Sequence, residues 1–209
     1  MIITTEFLKE KSACAEGFRY VSENGFIGLE AIPFIERLIE HKELVTAATA
    51  GKEDALKWGN WLIVRVMERK QYLQYAIFVA EQVIDIFEKK YPNDKRPRAA
   101  IEAVKEYLKN PNRKNASAAA SASAAAASAS AAAAASAASA AAASSASSAA
   151  AAAYGASAAS AASAAAAASA SAAAYGASAA SAAAADASEE MQLKILKYGI
   201  ELLKEGNLQ

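Results

Sequence analysis

QYLQYAIFVAEQVIDIFEK, residues 71–89, places Tyr72, Ala76, Val79, Ala80, Val83, Ile84 and Phe87 at i, i+3, i+4, i+7 spacing. Side chains three and four apart share one helix face, so the spacing predicts an amphipathic helix with one buried side. The flanking segments repeat the pattern. Residues 53–67 carry Trp58, Trp61, Leu62, Val64 and Val66. Residues 28–42 set Ile32, Phe34, Ile35, Leu38 and Ile39 broadly on one side, which requires Pro33 to sit in the first turn, where a missing N–H costs nothing. Shorter helical runs, Glu6 to Lys11 and Ala13 to Asn24, come first, with Gly25 as a stop. Downstream, Tyr91-Pro92-Asn93-Asp94 is a turn signal, Pro97 suits the first position of a helix from Arg98 to Leu108, and Asn110-Pro111-Asn112 ends it. No sustained period-two run bounded by turns occurs, so no sheet is expected. The fold class is read as all-α, a multi-helix bundle.

From Ala116 to Ala185 the chain uses only Ala, Ser and two Tyr-Gly pairs, Tyr154-Gly155 and Tyr175-Gly176. Alanine has the best helix propensity and no proline interrupts, so the tract is expected to be helical, ahead of silk-like β-stacking. One straight helix of that length would extend about 105 Å. Isolated Ala-rich helices are marginal in water, so folding back to bury methyl groups is expected. An internal repeat agrees: Ser136-Ala-Ala-Ser139 recurs as Ser157-Ala-Ala-Ser160 and Ser178-Ala-Ala-Ser181, a step of 21 residues, or three heptads. Each Tyr-Gly pair either ends a helix at its glycine or lets two backbones touch there. A third pair, Tyr198-Gly199, lies inside the apolar pattern Ile195, Leu196, Leu202, Leu203, which favours close packing. Residues 188–205 read as an amphipathic helix with Ser188 as N-cap, Glu189 and Glu190 complementing the dipole, and Gly206 as a stop. The expected organisation is an N-terminal helical domain over 1–115, a closely packed Ala/Ser-rich helical repeat region over 116–187, and a C-terminal helix over 188–209 packing back on the bundle.

The 22 basic residues balance the 22 acidic ones, which argues against nucleic acid as a partner, because phosphate binding needs a basic surplus on one face. The single cysteine, Cys14, excludes an intramolecular disulfide and fits a reducing compartment. The start carries Glu6 and no apolar core, so no secretory leader is expected, and the Ala/Ser tract lacks Leu, Ile, Val and Phe, so no membrane span is expected. A cytoplasmic protein is the resulting expectation.

Chemistry needs ionisable or nucleophilic groups in a tuned setting. The tract offers serines without a base and reads as shape. His41 is the only histidine, too few for a zinc site with Cys14. Cys14 lies in an Ala-rich run and reads as a small buried core residue. No phosphate loop, dinucleotide fingerprint or nucleophile elbow occurs, so no catalytic residue, metal or cofactor is expected. Two clusters remain as partner-binding candidates. Arg65 shares a helix face with Trp58 and Trp61, an Arg/Trp combination that dominates interface energetics. The competing reading is internal: stacking on Trp61, or an ion pair with Glu81 or Asp85. Lys95, Arg96 and Arg98 gather at a helix start, where backbone N–H groups favour a phosphate or an acidic partner loop; a solvated turn is the alternative.

Three segments stand out together: Ala13-Cys14-Ala-Glu16-Gly17, Trp61-Leu-Ile-Val-Arg65, and Tyr91-Pro-Asn-Asp-Lys-Arg-Pro-Arg98 continuing as Ala99-Ala-Ile101-Glu102-Ala103. Followed by an Ala-rich tail, they resemble the immunity proteins assigned to bacterial polymorphic toxin systems, and related phage proteins with Ala/Ser/Tyr-rich tails. The string D-x-R-P-R-x-A-I-E-A is the most specific part. The resemblance covers residues 1–110 by motif and the tail by composition. It implies a non-enzymatic helical protein that neutralises a toxin or effector by occlusion, with a protein as partner. A phage counter-defence protein trapping a phosphate-bearing nucleotide signal, with Arg96 and Arg98 on phosphate, is the rival, and a structural or ice-binding Ala-rich bundle is the third reading.

Overall fold

The computed structural model describes residues 1–51, 54–119, 121–122 and 188–206. Within them the fold is all-α: the described elements are helices packed on one another, with no strand among the described residues. Residues 113–119 and 121–122 are helical, which covers the first turn of the Ala/Ser tract. The expectations for the rest of the tract, its folding back, its close packing and its two Tyr-Gly pairs, lie outside the described residues. The chain divides into two compact units, Met1–Met67 with Leu196–Gln209, and Glu68–Ile195.

The first unit contains α1 (Thr5–Glu10), α2 (Ala15–Glu23), α3 (Ala31–Glu40), α4 (Lys42–Ala48) and α5 (Ala55–Val66). Side-chain caps start several of them. Thr4 Oγ1 accepts the Phe7 N–H at 3.2 Å, and Asp54 Oδ1 accepts the Leu56 N–H at 2.8 Å, each satisfying a donor that the helix itself leaves unpaired. Gly25 ends α2 as anticipated: its φ of +71° suits glycine, and the Phe26 N–H reaches back to the Val21 carbonyl at 3.1 Å. Two other stops use residues that the left-handed conformation penalises, Ser12 after α1 at φ 58° and Ala50 after α4 at φ 52°.

Pro33 falls in the first turn of α3, as the pattern requires. Helix α3 packs on α5, and α4 contacts both. Phe34, Ile35 and Leu38 of the expected stripe are buried on α3; on α5 Leu62 and Val64 are buried together with Ile63, which the expected pattern left out, while Trp58, Trp61 and Val66 are half-buried. The extended start of the chain closes one side, with the Ile3 N–H on the Leu29 carbonyl and the Gly28 N–H on the Ile3 carbonyl, both at 2.9 Å, around an isolated antiparallel bridge between Ile2 and Glu30.

The final helix, α8 (Ser188–Gly206), contributes its residues from Leu196 onward to this unit. A Cβ on Gly59 of α5 would lie 3.1 and 3.2 Å from the two Leu196 methyls, so glycine here sets how closely the helices approach. Lys204 pairs with Glu36 of α3 at 3.1 Å. Tyr198-Gly199 lies inside α8, so at this pair the glycine does not end the helix.

The second unit is built on α6 (Arg69–Lys90) and α7 (Arg96–Lys109), which pack against each other. Of the stripe expected on α6, Tyr72, Ala76, Val79, Ala80, Ile84 and Phe87 are buried. Leu73, Tyr75 and Ile77, off that stripe, are buried as well, so α6 is covered more widely than a one-sided amphipathic helix. Its start was hidden in the sequence: the Glu68 N–H donates to Gln71 Oε1 at 2.7 Å, a reciprocal cap that uses glutamate where Ser or Asp is usual. Helix α7 begins at Arg96, two residues before the expected start, and Pro97 occupies its second position, where the missing N–H is equally harmless. Among the described residues no helix is long and apolar enough to cross a membrane.

Candidate functional site

Helix α5 carries the first candidate. Trp58, Trp61 and Arg65 are all half-buried. The Arg65 guanidinium lies over the Trp61 ring, 4.2 Å from its centroid, and its Nη1 donates to the Trp61 carbonyl at 2.7 Å. The spacing i to i+4 makes both contacts possible at once, since the side chain runs back along one turn of its own helix. The stacking named as one internal reading is therefore present. Glu81 and Asp85, the alternative acids, pair with Lys105 at 2.7 Å and with Arg98 at 3.3 Å.

Trp58 has a different task. A Cβ on Gly17 of α2 would sit 3.2 Å from Trp58 Cε2 and 3.0 Å from Cys14 Sγ, so only glycine lets the indole and the thiol approach the α2 backbone this closely. Beyond Gly17 the rings continue inward: Tyr20 lies 5.9 Å from Trp58 and 6.2 Å from Phe26, and Phe26 lies 5.2 Å from Phe34 and 5.1 Å from His41. Tyr20 Oη and His41 Nδ1 share a hydrogen bond of 3.1 Å, and burial pushes the Tyr20 phenol above its ordinary pKa while the nearby Arg37 charge opposes the shift. Arg37 rests on the Phe26 ring at 4.9 Å and donates to the Gly25 carbonyl at 2.9 Å.

No sequence motif announces this cluster. Its members come from α2, the following loop, α3, its C-cap and α5, and only the fold brings them together. The reading of Cys14 as a buried core residue is corrected: the thiol is exposed, and it caps α2 by accepting the Gly17 N–H at 3.3 Å. A cap must stand at a helix end, which here is at the surface.

The basic candidates meet acids of their own chain. Arg98 grips Glu88 with two hydrogen bonds, Nε to Oε1 at 3.0 Å and Nη2 to Oε2 at 2.7 Å, and reaches Asp85 at 3.3 Å. Arg96 grips Asp94 in the same forked manner, at 2.9 and 2.6 Å, while Asp94 Oδ1 also accepts the Arg96 N–H at 3.2 Å. Lys95 approaches Glu88 at 4.0 Å. Three cations thus face three carboxylates. The Arg98 bonds hold the Glu88 carboxyl below its ordinary range, and the Arg96 bonds do the same for Asp94. Lys105, between Glu102 at 2.8 Å and Glu81 at 2.7 Å, is held above the usual lysine range by those two acids. Helix α7 therefore presents paired guanidinium groups.

This geometry gives the ten-residue string from Asp94 to Ala103 a physical meaning. Asp94 orients Arg96, Pro97 is buried at the helix start, Arg98 ties α7 to α6, and Ala100 and Ile101 are buried in the unit's core. The other two segments have comparable roles, Cys14 and Gly17 at the start of α2 and the stacked Trp61 and Arg65 on α5. Among the described residues no group of three or more His, Cys, Asp or Glu could hold a metal ion. Comparison of the chain with protein-family models, with curated proteins and with solved structures returned no match.

Proposed function

We propose that this chain is a non-enzymatic helical binding protein that occludes a protein partner, as an immunity protein does its toxin or effector, and that the α5 surface around Trp61 and Arg65 is its contact face. The observation that carries the reading is that Trp61 and Arg65, although stacked on each other, both keep part of their surface exposed on α5. Trp and Arg are the residue types most enriched where binding energy concentrates. An arginine already held against an indole and a backbone carbonyl loses little rotamer freedom on binding, so more of its contact energy survives as affinity. The motif resemblance supports the same class of partner. No observation favours the nucleotide-trapping alternative, since Arg96 and Arg98 already hold Asp94 and Glu88.

The test uses the product of the gene adjacent to that of this chain, the arrangement in which a toxin and its antidote are encoded together. Calorimetric titration should show a complex. Trp61→Ala should weaken it by about 2 kcal/mol or more while the far-ultraviolet circular dichroism stays helical. An unchanged affinity in a folded Trp61→Ala protein would remove the α5 face from the account, and the absence of any complex would remove the antidote reading.

A further inference from the structure

We draw no further inference here: the strongest candidate, the small cleft of about 80 Å³ lined by Met1, Glu30, Ala31, Ile32, Val66 and Leu203, carries nothing because nothing in the structure shows what covers it.

Discussion

Arg65 on α5 and Arg98 on α7 look alike in the sequence, each a cation on an amphipathic helix with acids within reach. The fold gives them different contacts. Arg65 lies flat on an indole, in a unit whose interior is knit by aromatic rings and close-set glycines. Arg98 is clamped end-on by Glu88, in a unit whose two long helices are tied along one flank by ion pairs. A guanidinium can pair through its flat face with a ring or through its edge with a carboxylate, and the two arginines show one contact of each kind. Charge type alone does not say whether an arginine stacks on a ring or grips an acid; the packing of neighbouring elements does.

The aromatic side of the comparison breaks most severely at its centre. Phe26 is fully buried, and its ring meets Tyr20, Phe34, His41 and Arg37. Phe26→Ala should cost about 3–5 kcal/mol in urea unfolding, because the cavity removes the contacts that join the α2–α3 loop to α3. A loss below about 1 kcal/mol would show that the ring cluster is decoration rather than core.

The glycine approach sharpens the same side. Gly17→Leu should destabilise by about 1–3 kcal/mol, since the new side chain must displace the Trp58 indole or the Cys14 thiol. The tryptophan fluorescence maximum should move with it. A stable protein with unaltered emission would mean that α2 and α5 have more room than the distances of 3.0 and 3.2 Å imply.

The charged side should respond less, and with a distinctive pH signature. Arg98 is about a third exposed, so solvent screening holds the expected cost of Arg98→Ala to about 1 kcal/mol. Glu88 is held below its ordinary carboxylate range in the folded protein, so its pairing contributes fully above that range and is lost as pH falls through and below it. The stability gap between the parent and Arg98→Ala should therefore close as pH drops from about 7 to about 3. Lys105 behaves in the opposite sense: its contribution is present below the usual lysine range and is lost as pH rises beyond it. A gap independent of pH would mean that Arg98 acts through the packing of its stem.

The smallest expected effect is a gain. Ser12 and Ala50 hold left-handed backbone at helix ends where a Cβ is disfavoured. Ser12→Gly and Ala50→Gly should each be neutral to stabilising, by up to about 1 kcal/mol, the relief of strain being partly offset by the added freedom of glycine in the unfolded chain. Destabilisation at either position would mean that the side chain makes a compensating contact.

The parts of this architecture that were legible beforehand follow local rules. The stripe from Tyr72 to Phe87, the first-turn position of Pro33 and the stop at Gly25 each depend on residues within a turn or two of one another. Illegible features depend on distant pairs. Glu88 and Arg98 are ten residues apart, and Tyr20 and His41 twenty-one; nothing in a linear pattern selects those partners from the other acids and rings nearby. The Arg/Trp grouping on α5 was visible from i, i+3 and i+7 spacing, but the division of labour was not. Trp58 turns to Gly17 and Tyr20 while Trp61 carries the arginine, a difference set by where α2 lies. The Ala-rich neighbourhood of Cys14 resembles a helix interior, but the residue is the N-cap of α2 and is exposed there.

The most direct measurement sets the two arginine regions against each other in one binding assay. The affinity of the adjacent gene's product would be determined for the parent chain, for Trp61→Ala/Arg65→Ala and for Arg96→Ala/Arg98→Ala, each checked for folding by circular dichroism and thermal melting. The account predicts that the α5 double variant loses at least about tenfold in affinity with its helices intact, while the α7 double variant melts at a lower temperature and binds as the parent does. Full affinity in the folded α5 variant, with binding lost in the folded α7 variant, would contradict it and place the contact face on the charged hairpin.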